Sequence, residues 1–277
     1  MEGGDKARTF VRRQATNPRL DVPLLCPTCR KGLVFGGGDL ACSAGHPLPE
    51  AAPGVPDLWE PGRPLPNLDA YSGPLGWAYD FGVNNRALAM LTARLEWGSD
   101  VRRMYRLMDA GVRCAAGEVV LDVPAGGGTT IALGAPGLDG LLIGIDLSAG
   151  MLLRAARRRD RHGLRGHVIL ARGDATHLPL PDSSVDRVLC FNGLHVLPAK
   201  ERALAEFRRV LRPGGELVGT VLVEDGSNPY AAFVAIERLA GFFVPANAGR
   251  LPALARAAGF ATWEQEREGS YLYFRGE

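Results

Sequence analysis

Between residues 118 and 223, short apolar runs alternate with helical stretches, and each run stops at a small, acidic or polar residue. Glu118-Val-Val-Leu-Asp122-Val reads as a buried strand and is followed by Pro124-Ala125-Gly126-Gly127-Gly128, then by a helix to about residue 134. Leu141–Asp146 is a second strand and Ala149–Arg161 a second helix. His167–Ala171 and Ser184–Asn192 supply two more strands, Lys200–Leu211 a helix, and Glu216–Val223 a fifth strand. Runs that are apolar throughout, rather than alternating, are those of strands covered on both faces. Strands alternating with helices predict an α/β fold with a doubly wound, mostly parallel sheet and right-handed crossovers. Helices are expected at 229–243 and 250–258, and two short strands near 261–266 and 270–274 close the chain.

In such sheets, ligands bind beyond the carboxyl ends of the strands, where the strand order reverses. The distinctive motifs all sit at those ends. Glycines 126–128 let a backbone approach a ligand closely, and the helix after them offers free N–H groups. Asp146 ends the second strand, 20 residues after Gly126, where a carboxylate can accept both hydroxyls of a ribose. Gly173-Asp174-Ala175 follows the third strand, and Phe191-Asn192-Gly193-Leu194-His195 follows the fourth. His195 is the candidate general base, since an unperturbed imidazole titrates near neutrality.

A second constellation lies upstream. Cys26-Pro-Thr-Cys29, twelve residues, then Cys42-Ser-Ala-Gly-His46 has zinc-ribbon spacing. The glycines at 36–38 predict a hairpin turn between Leu33-Val-Phe and Leu40-Ala. Cys26, Cys29, Cys42 and His46 would fill all four tetrahedral positions, so a zinc ion there is structural. Cys114 and Cys190 stand alone and read as small buried apolar residues. After the ribbon, prolines at 47, 49, 53, 56, 61, 64 and 66 predict an extended tether with neither helix nor ladder, anchored by Val55, Leu58 and Trp59.

These motifs together resemble the class I S-adenosylmethionine-dependent methyltransferases, in the group that includes the quinone-biosynthesis enzymes. The resemblance covers roughly residues 115–275. It is carried by VLDVPAGGG, GIDLSAGML, GDATHLPLPDSSVD, FNGLHVLP and EFRRVLRPGGEL. It implies a Rossmann-like, doubly wound, seven-stranded sheet with a reversed terminal hairpin, and S-adenosyl-L-methionine as cofactor. The glycine loop would lie under the methionine part, Asp146 would hold the ribose, and Asp174 and Ala175 would flank the adenine. The implied cofactor-binding set is Asp122, Pro124, Ala125, Gly126, Gly128, Asp146, Leu147, Met151, Asp174, Ala175 and Asn192. One departure is Pro124, which stands where the family has the first glycine of the loop and which lacks an N–H. The ribbon spacing is similar to that of the rRNA large-subunit guanine methyltransferases. Gly54-Val-Pro-Asp-Leu58 is instead similar to small zinc-ribbon proteins that activate other methyltransferases.

The chain divides into an arm (1–22), the zinc ribbon (23–52), a proline-rich linker (53–70), a helical acceptor lid (71–114) and the cofactor domain (115–277). Tyr71, Trp77, Tyr79, Asp80, Phe81 and Asn84, with Phe233, Phe242 and Phe243, are candidates to line an acceptor pocket. Arg154, Arg157, Arg158, Arg159, Arg161, Arg165 and Arg172 form a basic run, but 29 of the 32 basic residues are arginine, which weakens any nucleic-acid reading of it. No apolar run is long enough to span a membrane, and the amino-terminal stretch lacks a secretory core, so the expected location is cytoplasmic. The leading expectation is methyl transfer to a small organic acceptor. An rRNA guanine N-methyltransferase and a non-catalytic cofactor-binding module stay open as alternatives, as does the oligomeric state.

Overall fold

The computed structural model describes residues 22–36, 39–62, 81–82, 84–197, 199–223 and 246–277. The expected helix at 229–243, most of the arm, and Tyr71, Trp77, Tyr79, Asp80, Phe233, Phe242 and Phe243 lie outside these residues.

Seven strands form the central sheet: β5 (Val119–Asp122), β6 (Leu141–Asp146), β7 (Val168–Arg172), β8 (Val185–Phe191), β9 (Leu211–Leu222), β10 (Trp263–Glu268) and β11 (Tyr271–Gly276). Their order is β7-β6-β5-β8-β9-β11-β10. β5 to β9 pair in parallel, whereas β11 runs antiparallel to both β9 and β10. The sheet therefore has one reversed strand, and its order reverses between β5 and β8. β5 and β6 are buried along their whole lengths. Leu121, Ile143 and Val188 face one core with α5 (Lys200–Val210) and α6 (Leu251–Ala257). Val120, Leu142 and Leu189 face the other, with α2 (Arg102–Val112), α3 (Thr129–Gly134) and α4 (Ala149–Arg161). Burial on both faces is the physical reason the strand sequences do not alternate. α1 (Arg86–Glu96) is capped by Asn85, whose side chain accepts the Leu88 N–H, and it turns Leu91 and Leu95 outward and Ala93 inward.

Two expectations need correction. β9 begins at Leu211 rather than Glu216, because Arg212–Gly215 bulges within the strand: Val185 pairs with Leu211, then Arg187 with Glu216. Gly214, at φ 77°, supplies the turn. The proline-rich tether does carry a short ladder, β3 (Glu50–Ala52) against β4 (Val55–Pro56). Pro53 and Gly54 occupy the two corner positions of its turn, where fixed φ and positive φ are favourable, and Gly54 has φ 68°. In the basic run, Arg157, Arg161 and Arg165 are exposed, while three others are engaged or buried. Arg172 pairs with Asp57, Arg158 donates to the Gly127 carbonyl, and Arg159 is buried.

β1 (Leu33–Gly36) and β2 (Asp39–Cys42) form the upstream hairpin, with Leu33 opposite Cys42. It packs on the edge of the main sheet. Val22 and Leu24 join the core beside Leu178 and Leu180, and Leu25 N–H donates to the Pro179 carbonyl at 2.9 Å. Val55 and Leu58 are buried as anchors, and Asp57 bridges to Arg172 at the end of β7. An edge strand that would otherwise offer unpaired backbone groups is thereby partly covered. Cys114 and Cys190 are both buried, and burial pushes both thiols up, as expected of inert apolar positions. Among the described residues, no helix is long and apolar enough to cross a membrane.

Candidate functional site

The crevice beyond β5, β6, β7 and β8 gathers the glycine loop and the acidic and polar residues named from sequence. After Asp122 the chain stays on the sheet: Val123 N–H donates to Leu189 O and Ala125 N–H to Ile145 O, both at 2.9 Å. The absence of an N–H on Pro124 therefore leaves the loop anchored on both sides. Gly126 N–H donates to Asp146 Oδ2 at 2.8 Å, and Gly128 N–H to Ala125 O at 3.0 Å. Gly128 has φ 82°, and a Cβ there would lie 3.0 Å from the Ala155 backbone on α4. Only glycine both makes this turn and lets α4 pack this closely.

Asp122 is buried, and its Oδ2 accepts the Thr130 hydroxyl. Burial pushes its carboxyl up to about 7, opposed by the Thr130 bond and reinforced by Asp146. An unfolded Asp is deprotonated above about 4, so between pH 4 and 7 the folded chain holds one more proton than the unfolded chain. Stability from this group is greatest below pH 4 and is lost as pH rises through 7, at about 1.4 kcal/mol per unit. The Asp122→Asn variant should lack this slope. Denaturant melts of both apo proteins at pH 5.5 and 7.5 should show wild type losing stability relative to the variant; parallel losses would contradict the assignment.

Asp146 is also buried, and burial raises its carboxyl against the pull of the Ser148, Gly126 and Leu147 N–H groups. Ser148 N–H donates to Asp146 Oδ1 at 2.8 Å, and the Ser148 hydroxyl caps α4 by accepting Met151 N–H. The carboxylate is thus oriented by two backbone donors at the end of β6. Leu147 is half-buried and Met151 buried beside it. Asp174 closes its own turn, accepting the Thr176 N–H and hydroxyl, both at 2.8 Å, with Ala175 buried next to it.

At the end of β8, Asn192 adopts φ 54°. Its N–H donates to Thr220 O at 3.1 Å, its Oδ1 accepts the Thr220 hydroxyl at 3.1 Å, and its Nδ2 points to Met104 Sδ at 3.5 Å. Asn192 and His195 line a mainly apolar cleft with Trp97, Met104, Tyr105 and Tyr271. Trp97 and Tyr271 meet edge to face at 5.5 Å. His195 is buried, and its Nδ1 accepts the Leu222 N–H at 3.2 Å. Burial, with the Lys200 charge, holds its pKa down to about 3, so the ring is neutral with its proton on Nε2. The near-neutral titration expected from sequence does not arise at this position.

Of the lid residues expected from sequence, Asn84 reaches the crevice by accepting the Thr129 hydroxyl at 3.2 Å, while Phe81 is half exposed. Ser148, Thr130, Thr220, Arg158, Trp97 and Tyr271 were not legible as site residues. Only Ser148 carried a signal, as a helix cap before an apolar periodic segment.

In the ribbon, the ligating atoms of Cys26, Cys29, Cys42 and His46 all lie within 4.8 Å of one another. Cys29 Sγ and Cys42 Sγ are 3.6 Å apart, as are Cys42 Sγ and His46 Nδ1. These separations are too long for a disulfide. They match the edges of a tetrahedron with zinc–sulfur bonds of about 2.3 Å and zinc–nitrogen bonds of about 2.0 Å. Burial would raise the Cys42 thiol, yet hydrogen bonds from His46 and the Ala44 N–H pull it down to about 6.

Residues 120–215 match the family model described as a methyltransferase domain. The chain is 32% identical to the methyltransferase GfsG of Streptomyces halstedii over 210 residues, covering 69% of this chain and 74% of that one. It is 38% identical to the demethylmenaquinone methyltransferase of Renibacterium salmoninarum over 139 residues, which is 50% of this chain and 52% of that protein. The chain thus spans about half the length of that relative. The phosphoethanolamine N-methyltransferase 2 of Haemonchus contortus, solved with S-adenosyl-L-methionine, shares the fold with a TM-score of 0.59 at 16% identity, over 76% of this chain and 58% of that one. With one reversed strand in a seven-stranded sheet, a glycine loop closed on Asp146, and these relatives, the chain belongs to the class I S-adenosylmethionine-dependent methyltransferases.

Proposed function

We propose that this chain transfers a methyl group from S-adenosylmethionine to a small, flat, largely apolar acceptor of the quinol or phenol type. The observation that carries the acceptor class is the cleft at the end of β8, walled by Trp97, Met104, Tyr105 and Tyr271 beside Asn192 and His195. The residues present fit the cofactor. Gly126–Gly128 leave room for close backbone approach, Asp146 offers an oriented carboxylate to ribose hydroxyls, and Asp174 and Ala175 flank the place for adenine. Leu147 and Met151 supply apolar surface, while Asp122 and Pro124–Ala125 hold the loop. When bound, the sulfonium supplies the electrophilic methyl, and the protein's part is alignment. Arg172 and Arg158 are engaged by Asp57 and the Gly127 carbonyl and Arg159 is buried, which leaves less of the basic run for RNA than its sequence offers. Cys26, Cys29, Cys42 and His46 hold a structural zinc in this reading, with no open position for chemistry.

His195 acts here as a neutral residue that shapes the acceptor cleft, with its Nδ1 committed to Leu222. The test is turnover with 1,4-naphthohydroquinone and related phenols, read as methylated product and S-adenosylhomocysteine by mass spectrometry. His195→Asn should slow turnover by about 10-fold or less, and the wild-type rate should show no limb near pH 6.5. A limb there that vanishes in the variant would restore the general-base role. Tight cofactor binding with no transfer to any acceptor of this class would contradict the proposal.

A further inference from the structure

The loop of residues 173–180, which carries Asp174 and Ala175, is held at one end by the proline-rich linker and at the other by Leu25, next to Cys26. Arg172, immediately before it, is gripped on two sides. Its guanidinium donates through Nε and a terminal nitrogen to the Asp57 carboxylate, the former at 2.8 Å, and both side chains are mostly buried. Its carbonyl accepts the Leu58 N–H at 2.9 Å. The same Asp57 carboxylate accepts the Trp59 N–H at 3.1 Å, and Asp57 N–H donates to the Pro49 carbonyl, three residues past His46. At the far end, Leu25, the neighbour of Cys26, donates its N–H to Pro179. Between the two clamps, Arg30 and Trp59 face Asp174 and His177 across a small cleft. The far end has a second support that does not involve the ribbon, since Leu178 N–H donates to Glu206 and Arg209 donates to the Leu180 carbonyl. The near end has Asp57. From there Gly173 N–H donates to the Asp146 carbonyl at 3.1 Å, so the alignment of Arg172 is passed to the residue that offers the ribose carboxylate.

We propose that Asp57 is a positioning residue for the adenosine side of the cofactor site, and that metal in the Cys26/Cys29/Cys42/His46 cluster raises cofactor affinity through this tether. The proposal rests on the cofactor reading given above. A bidentate Arg–carboxylate contact fixes orientation as well as distance, so its loss loosens a loop without unfolding the sheet.

The test is calorimetric titration of the zinc-loaded protein with S-adenosylhomocysteine and, separately, with 5′-methylthioadenosine, which lacks the amino-acid portion. Asp57→Asn should weaken both by the same factor, about 10-fold. The thiolate-to-metal absorption of the cobalt-substituted variant should equal that of wild type, showing an intact cluster. Wild type stripped of metal by a chelator, with its far-UV dichroism retained, should lose at least as much affinity for both. An Asp57→Asn protein that binds both nucleosides within twofold of wild type overturns the coupling alone. So does one that loses S-adenosylhomocysteine affinity while keeping that for methylthioadenosine. Wild type that binds neither overturns the cofactor reading itself.

Discussion

Replacing Asp146 with alanine should weaken S-adenosylhomocysteine binding by at least about 100-fold while the sheet stays folded. The size follows from what the carboxylate does. Two backbone N–H groups, of Gly126 and Ser148, hold it in a buried position at the end of β6. A ribose hydroxyl pair presented to it would make charge-assisted hydrogen bonds, each worth about 1.5–3 kcal/mol. Loss of two such bonds amounts to about 3–6 kcal/mol, or two to four orders of magnitude. The substitution also deprives two amides of their acceptor, which costs stability, so Asp146→Asn serves as the companion. It keeps a single neutral acceptor oxygen, enough for one of the two amides with a weaker hydrogen bond left to the ribose, and should fall between wild type and alanine. Calorimetry gives the affinities, and a thermal melt confirms folding. Near wild-type affinity in a folded Asp146→Ala protein would remove the ribose from this end of the sheet.

Stripping the metal should have the second large effect, on the upstream hairpin. Zinc in small Cys/His domains contributes about 10–16 kcal/mol of apparent binding free energy at neutral pH, most of it expressed as folding. The two-stranded hairpin β1–β2 is marginal without further support, and without the ion three sulfurs and an imidazole would face one another within 4.8 Å. A colorimetric chelator should release one zinc per chain. The apparent melting temperature should then fall by about 10 °C or more, because Val22 and Leu24 would leave the core they share with Leu178 and Leu180. Most of the sheet signal in far-UV dichroism should persist, since β5, β6 and β8 owe their burial to the helices on both faces. A purified, folded protein that contains no metal and melts unchanged in chelator would contradict the metal assignment.

The parallel strands were legible because burial on both faces leaves an unbroken apolar run, as in Leu141–Asp146, and because each run ends at a motif. The Cys/His cluster was legible because metal ligation demands particular side chains at fixed spacing, and the structure brings Cys26, Cys29, Cys42 and His46 together. What the sequence hid was tertiary. The prolines between 47 and 56 read as blocking any ladder, yet Pro53-Gly54 is a favourable turn pair and the strands it joins are only three and two residues long. Arg172 takes Asp57 from 115 positions away, which nothing local in the sequence announces. His195 was placed correctly at the end of β8, but no local pattern announces that Leu222, 27 residues on, will donate to its Nδ1. Trp97, just after α1, and Tyr271, at the start of β11, meet in the cleft at the end of β8, a juxtaposition that periodicity cannot convey.

The central claim is that the crevice beyond β5, β6 and β8 is a working S-adenosylmethionine site despite Pro124 in its glycine loop. Calorimetric titration of the metal-loaded protein with S-adenosylmethionine tests it most directly. The expected result is a single site with micromolar affinity, competed by S-adenosylhomocysteine. Folded, metal-loaded protein that takes up neither nucleoside would contradict it.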